Sequence, residues 1–137
     1  MRFSLLFLFF GFFLLTPFSC RKPIENTRGI IGNWKLVELY DGYTNGGNFR
    51  WNAVPAEDAH VLSFSDDGIY LKTSTVNGAP VYCSGTYNLQ ANNSLEINST
   101  CNTVTERAVV SELTSKILIL DRSGIEGLIR YKYKPSE

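Results

Sequence analysis

The sequence has no surplus charge of either sign, since thirteen lysines and arginines stand against thirteen aspartates and glutamates. A nucleic-acid surface needs a concentrated basic excess. The nearest approach is Arg130, Lys132 and Lys134, which alternate along one stretch and read as the solvated face of a strand. Nucleic acid is therefore not expected as a partner. Histidine is almost absent as well. The single one, His60, follows Glu57 and Asp58 in a loop-like segment and is expected to be a solvated side chain rather than a general base. No nucleophile elbow, phosphate loop or zinc-ligand cluster is present, so no catalytic set, metal site or cofactor site is expected. Helical periodicity is missing too. Past residue 30 no stretch keeps an apolar stripe at helical spacing.

What is present begins with the N-terminus, MRFSLLFLFFGFFLLTPFSC. Arg2 is followed by an apolar run that breaks at Thr16 and Pro17 and ends in Ser19-Cys20, the pattern of a secretory signal and slightly short of the roughly 20 residues a spanning helix needs. A cysteine behind a small residue at the end of such a run resembles the lipobox of bacterial lipoproteins. That resemblance implies lipidation at Cys20, with residues 1–19 removed as the signal. The alternative is a conventional cleaved signal with Cys20 lost or left as an odd thiol. Residues 20–29, beginning CRKPIENTR, are polar and lack apolar periodicity, and they read as a flexible tether. Residues 30–137 are long enough for one domain.

In that domain the apolar residues recur with a period of two. Eight segments read as strands: 31–40, 60–65, 69–75, 81–90, 94–100, 103–113, 116–121 and 127–134. Asp66-Asp67-Gly68, Asn77-Gly78, Asn92-Asn93, Gly124 and Gly127 supply residues that tolerate positive φ between them. Short links pair neighbouring strands antiparallel. The link of residues 41–58 is longer, and it is expected to cover one end of the sheet and to carry Tyr43, Phe49 and Trp51 there, or to plug the end with Trp51. Eight such strands in sequence order close into an up-and-down barrel, with the last strand beside the first.

Cys83 and Cys101 bracket one hairpin. A three-residue turn at Ala91–Asn93 sets Leu89 opposite Leu95, Tyr87 opposite Ile97, Gly85 opposite Ser99 and Cys83 opposite Cys101. A slip of one residue would turn Leu95 and Ile97 to the wrong face, so the apolar pattern and a disulfide select the same register. Directly opposed residues in a non-hydrogen-bonded pair lie about 4.5 Å apart at Cα, within the range a disulfide accepts. Pairing these two leaves Cys20 as the odd cysteine, which lipidation accounts for.

Several stretches carry a family resemblance. Gly32-Asn33-Trp34 resembles the Gly-X-Trp signature of lipocalins; LSFSDDGIY (62–70), SGTYNL (84–89), SELTSKILIL (111–120) and RYKYK (130–134) resemble the strand and turn signatures of lipocalin-like domains in Gram-negative lipoproteins. The resemblance implies an all-β, eight-stranded antiparallel barrel with a non-enzymatic binding role. It also implies a closed base in which a late cation packs over the motif tryptophan. Gly32, Trp34 and Arg130 are the residues for that base, with Lys132 the next candidate. Tyr43, Trp51, Phe64, Tyr70, Tyr87 and Ile97 are the candidates for lining a ligand cavity. The chain is shorter than secreted lipocalins, without room for their C-terminal helix, which leaves a smaller cavity and makes Phe64, Tyr70, Tyr87 and Ile97 available to fill it.

Two functions compete on these grounds. One is an envelope lipoprotein, anchored in the outer membrane and facing the periplasm, whose barrel binds a small hydrophobic ligand. The other is a structural or protein-interaction module with a filled barrel.

Overall fold

The structure is a computed structural model and describes residues 29–137. The signal segment, Cys20 and the tether up to residue 28 lie outside the described residues. The strands are β1 (Gly32–Tyr43), β2 (Trp51–Ala53), β3 (Val61–Phe64), β4 (Ile69–Val76), β5 (Ala79–Leu89), β6 (Ser94–Ser99), β7 (Glu106–Leu113), β8 (Leu118–Gly124) and β9 (Gly127–Pro135). β1 and β3 to β9 follow one another around the sheet, and β1 pairs with β9, which closes an eight-stranded antiparallel barrel.

The turns follow from their residues. Asn77 and Gly78 both have positive φ, 52° and 78°, the conformation a two-residue hairpin turn demands. Asn93 turns β5 into β6 at φ 66°, as the three-residue loop requires. Gly32 has φ +134°, a region that side chains disfavour, so the glycine of the Gly-X-Trp motif is there for its backbone.

The expected hairpin register is the observed one, with Gly85 opposite Ser99, Tyr87 opposite Ile97 and Leu89 opposite Leu95. A Cβ on Gly85 would lie 1.8 Å from the Asn98 carbonyl oxygen, so only glycine permits this closeness of β5 to β6. Just beyond the ladder, Cys83 and Cys101 are joined in a disulfide with their Cα atoms 5.3 Å apart.

Two features were not expected. A ninth strand, β2, lies within the 41–58 link. β3 is only four residues long and covers β1 from Gly32 to Lys35, leaving the upper edge of β1 open. Trp51–Ala53 pairs there with Glu38–Tyr40 and occupies those backbone groups. The second feature is a pair of bulges, at Val37 in β1 and Ser111 in β7. Each inserts a residue and inverts the alternation beyond it. In β1 this sends Leu39, Asp41 and Tyr43 inward and turns Glu38 and Tyr40 outward.

One end of the barrel is the base, where β1 starts and where the turns 65–68, 90–93 and 114–117 cluster. Inward-facing Trp34, Leu36, Leu62, Phe64, Tyr70, Leu95, Ile97, Ala108, Val110, Leu118, Leu120 and Tyr133 are buried there as one cluster, with Ile30 beneath them. Burial of each large apolar side chain contributes about 1.5 to 3 kcal/mol, which makes this layer the main source of stability.

In the unreduced, denatured protein, thiol labelling should leave both Cys83 and Cys101 protected. Reduction should cost about 3 kcal/mol, a fall on the order of 10 °C in melting temperature. Stoichiometric labelling of both residues without reductant would contradict the pairing.

Candidate functional site

The candidate cavity residues do not come together as one lining. Phe64 packs on Tyr70 with ring centroids 5.6 Å apart and edge-on to Tyr87 at 4.9 Å, while Ile97 is buried beside them. The Tyr87 hydroxyl donates to the Ser65 carbonyl at 2.7 Å. These four residues fill the lower barrel. Tyr43 stands at the far end of β1, next to the turn between β8 and β9.

Trp51 requires a correction. It pairs with Tyr40, which the β1 bulge has turned outward, so the indole neither lines nor plugs the interior. It lies on the outer face, 5.6 Å from the Tyr40 ring, with the Lys132 ammonium 4.2 Å from its ring centroid.

The base needs a second correction. Trp34 is buried, and its indole N–H donates to the Ile30 carbonyl at 2.8 Å. Among the described residues no cation is stacked on it. The register sets Pro135 opposite Trp34 and Arg130 opposite Tyr40, so Arg130 is displaced along the strand and points outward, where it forms a bidentate pair with Asp121 at 2.9 and 3.1 Å. Lys132 is outward as well and pairs with Glu38. A cation–indole contact does exist, but its partners are Lys132 and Trp51.

Above the packed layer the inward-facing positions become polar. Lys72 shares the face of Tyr70 on β4, Glu106 that of Ala108 on β7, and Arg122 that of Leu120 on β8. His60, just before β3, shares the face of Leu62 and Phe64. Contrary to expectation it is not an exposed loop side chain but half-buried, its Nε2 lying 3.2 Å from the hydroxyl of fully buried Tyr133 with one proton joining the two. Burial first, then the charges of Lys72 and Arg122, lower its pKa to about 4. Burial likewise raises the Tyr70 and Tyr133 phenols well above their ordinary value. At neutral pH the imidazole and both phenols are uncharged.

Arg122 is the centre of this layer. One guanidinium nitrogen reaches Glu106 at 2.5 Å, and its carbon lies 5.4 Å from the Tyr131 ring centroid. Asn102 also donates to Glu106, tying the 100–105 loop to the barrel wall. Against that loop, Arg122 and Glu106 line a solvent-open depression of about 460 Å³. Among the described residues no group of three His, Cys, Asp or Glu side chains could hold a metal ion.

This geometry can be set against known proteins. Residues 30–120 match the lipocalin-like domain family. The chain belongs to that family. Among solved structures, a lipocalin-like protein from Bacteroides uniformis superposes with a TM-score of 0.61 at 15% identity, covering 79% of this chain and 99% of that one. An uncharacterized protein from Bacteroides eggerthii superposes with a TM-score of 0.58 at 17% identity, covering 78% and 99% respectively. At such identities the likeness is one of fold. No curated protein matches. The lipocalin-like fold thus has, in this chain, a polar mouth above a filled base.

Lys72, Glu106 and Arg122 escaped the sequence reading and His60 was misread in it, although strand parity already carried the signal. Positions 72, 106 and 122 each lie two residues from an inward-facing apolar residue of their own strand, and position 60 lies two residues before inward-facing Leu62 of β3.

A neutral, half-buried His60 makes stability depend on pH. Its folded pKa lies below the unfolded value near 6.5, so its contribution is full above that value and is lost as pH falls toward 4. Urea unfolding at pH about 7 and about 4.5 should show the wild type losing about 2 to 3 kcal/mol more than His60→Gln. Equal losses would contradict the inward-facing, desolvated imidazole.

Proposed function

We propose that this chain is a non-catalytic, lipid-anchored envelope protein whose lipocalin-like barrel holds a small, largely apolar ligand at its mouth. The observation that carries the reading is the change of lining halfway up the barrel. Below it Phe64, Tyr70, Ile97 and Leu120 leave the base occupied, and above it the inward positions carry hydrogen-bonding groups beside open space. Ligand sites combine apolar surface with a few placed polar groups, and the mouth has both. Its rim carries Phe49, Val104 and Ile125 on loops and Val76 at the end of β4 as exposed apolar side chains, Ile125 entirely so. In this arrangement the apolar body of the ligand rests on the rim and its polar end reaches inward.

The anchor rests on the apolar run that ends in Ser19-Cys20. The described chain begins at Gly29, at the base beside Leu113. A lipid on Cys20 would then hold the base toward the membrane and leave the mouth free. A second reading, a filled barrel acting as a protein-interaction module, is favoured by the same exposed rim read with the packed base, since exposed apolar groups also mark protein contacts.

Mass spectrometry of the protein extracted from its own membranes tests both parts of the proposal. The denatured mass should equal the chain from Cys20 plus acyl groups, and the native mass should add one small molecule. A native mass with no added small molecule, or with a protein partner in its place, would favour the interaction module. An unacylated chain would remove the anchor.

A further inference from the structure

The mouth contains two cationic groups whose partners are incomplete. The Arg122 Nε is buried and has no hydrogen-bond acceptor, even though the same guanidinium is paired with Glu106 through another nitrogen. It is the one buried side-chain polar atom without a partner among the described residues. Such an atom is costly, more so when charged, and is therefore rarely left unpaired. Lys72 is the second. It is half-buried, faces inward between Leu62 and Cys83, and forms no ion pair or hydrogen bond among the described residues. Of the other strand cations, Arg107, Arg130 and Lys132 point outward and each has a carboxylate, while Lys35 and Lys134 are exposed to solvent.

The remaining groups at the mouth do not supply the missing acceptor. Glu106 is engaged by Arg122 and Asn102, and the Asp41 carboxylate accepts from the backbone N–H of Tyr43 at 3.2 Å. His60 is bonded to Tyr133. Lys72 is thus a half-buried positive charge without a carboxylate of its own; from the opposite wall the Arg122 guanidinium, which still has a donor to give, faces the same interior, and both cations are felt by His60. Donors of this kind bind carboxylate and phosphate oxygens through charge-assisted hydrogen bonds, which are shorter and stronger than neutral ones.

We infer that the barrel mouth is an anion-binding site, in which Lys72 and Arg122 together hold a carboxylate or phosphate group of the ligand. The inference rests on the binding role proposed above and gives that ligand its polar end. Tyr131, under the guanidinium, keeps the Arg122 plane in place.

The buried Nε–H of Arg122 can be followed in ¹H–¹⁵N spectra of the domain during titration with benzoate, phenyl phosphate and benzyl alcohol, three probes that share a ring and differ in charge. The Arg122 signal should move with the two anions and stay in place with the alcohol, and the tighter anion identifies the head group. Lys72→Met should weaken anion binding about tenfold, and Lys72→Arg should restore most of it. If benzyl alcohol binds as tightly as the anions and Lys72→Met changes nothing, the anion site is overturned while the binding role stands. Failure of both anions to move the Arg122 signal also overturns it, and the binding role is then decided by the native mass.

Discussion

Everything in this barrel depends on the pairing of β1 with β9. It joins the two ends of the sheet from Trp34 opposite Pro135 to Tyr43 opposite Gly127. Without it both strands would be edges with unpaired backbone groups, and the inward side chains of β1 and β9 would face solvent. With it, eight strands enclose an interior only wide enough for side chains or one small ligand. Residues far apart in sequence must then share that space. His60 meets Tyr133, and Arg122 meets both Glu106 and Tyr131, because the sheet has closed around them.

Closure sets the width of the interior, and alternation sets its contents. Each strand offers every second residue to the inside, and the two bulges decide where that count restarts. Below the bulge at Val37 the inward residues of β1 are Trp34 and Leu36, and both join the packed base. Above it they are Leu39, Asp41 and Tyr43, which lead to the mouth. The apolar lower half supplies stability and leaves little room. The upper half, with neutral His60 and the cations Lys72 and Arg122, gives up part of that stability for groups that can hold a ligand.

Much of this was legible in the residues. The Asn77-Gly78 and Asn93 turns, the apolar parity of β5 and β6 and the Cys83–Cys101 pairing are local, and local chemistry specifies them. The nearly continuous series of short links led to a meander and a closed barrel. What was not legible depends on long-range register or on an irregularity. The outward turn of Trp51 follows from the Val37 bulge, which leaves no signature in WKLVELY beyond the broken spacing of Leu36 and Leu39. The distance of Arg130 from Trp34 follows from the β1–β9 offset, which no single strand reveals. β2 was missed because three residues carry too little periodicity. His60 was misread for a different reason: weight was given to its acidic neighbours Glu57 and Asp58, when its parity with Leu62 and Phe64 pointed inside.

Native-state amide hydrogen exchange along β1 and β9 tests the closed barrel most directly. If the two strands close the sheet, the amides of Leu36–Tyr43 and Leu128–Tyr133 that bond across the β1–β9 seam exchange only through global unfolding, with the same free energy as the buried amides of β6 and β8. Exchange at those positions as fast as in the 44–50 loop would mean an open sheet with two free edges, and would contradict the enclosed interior on which the account of the mouth is built.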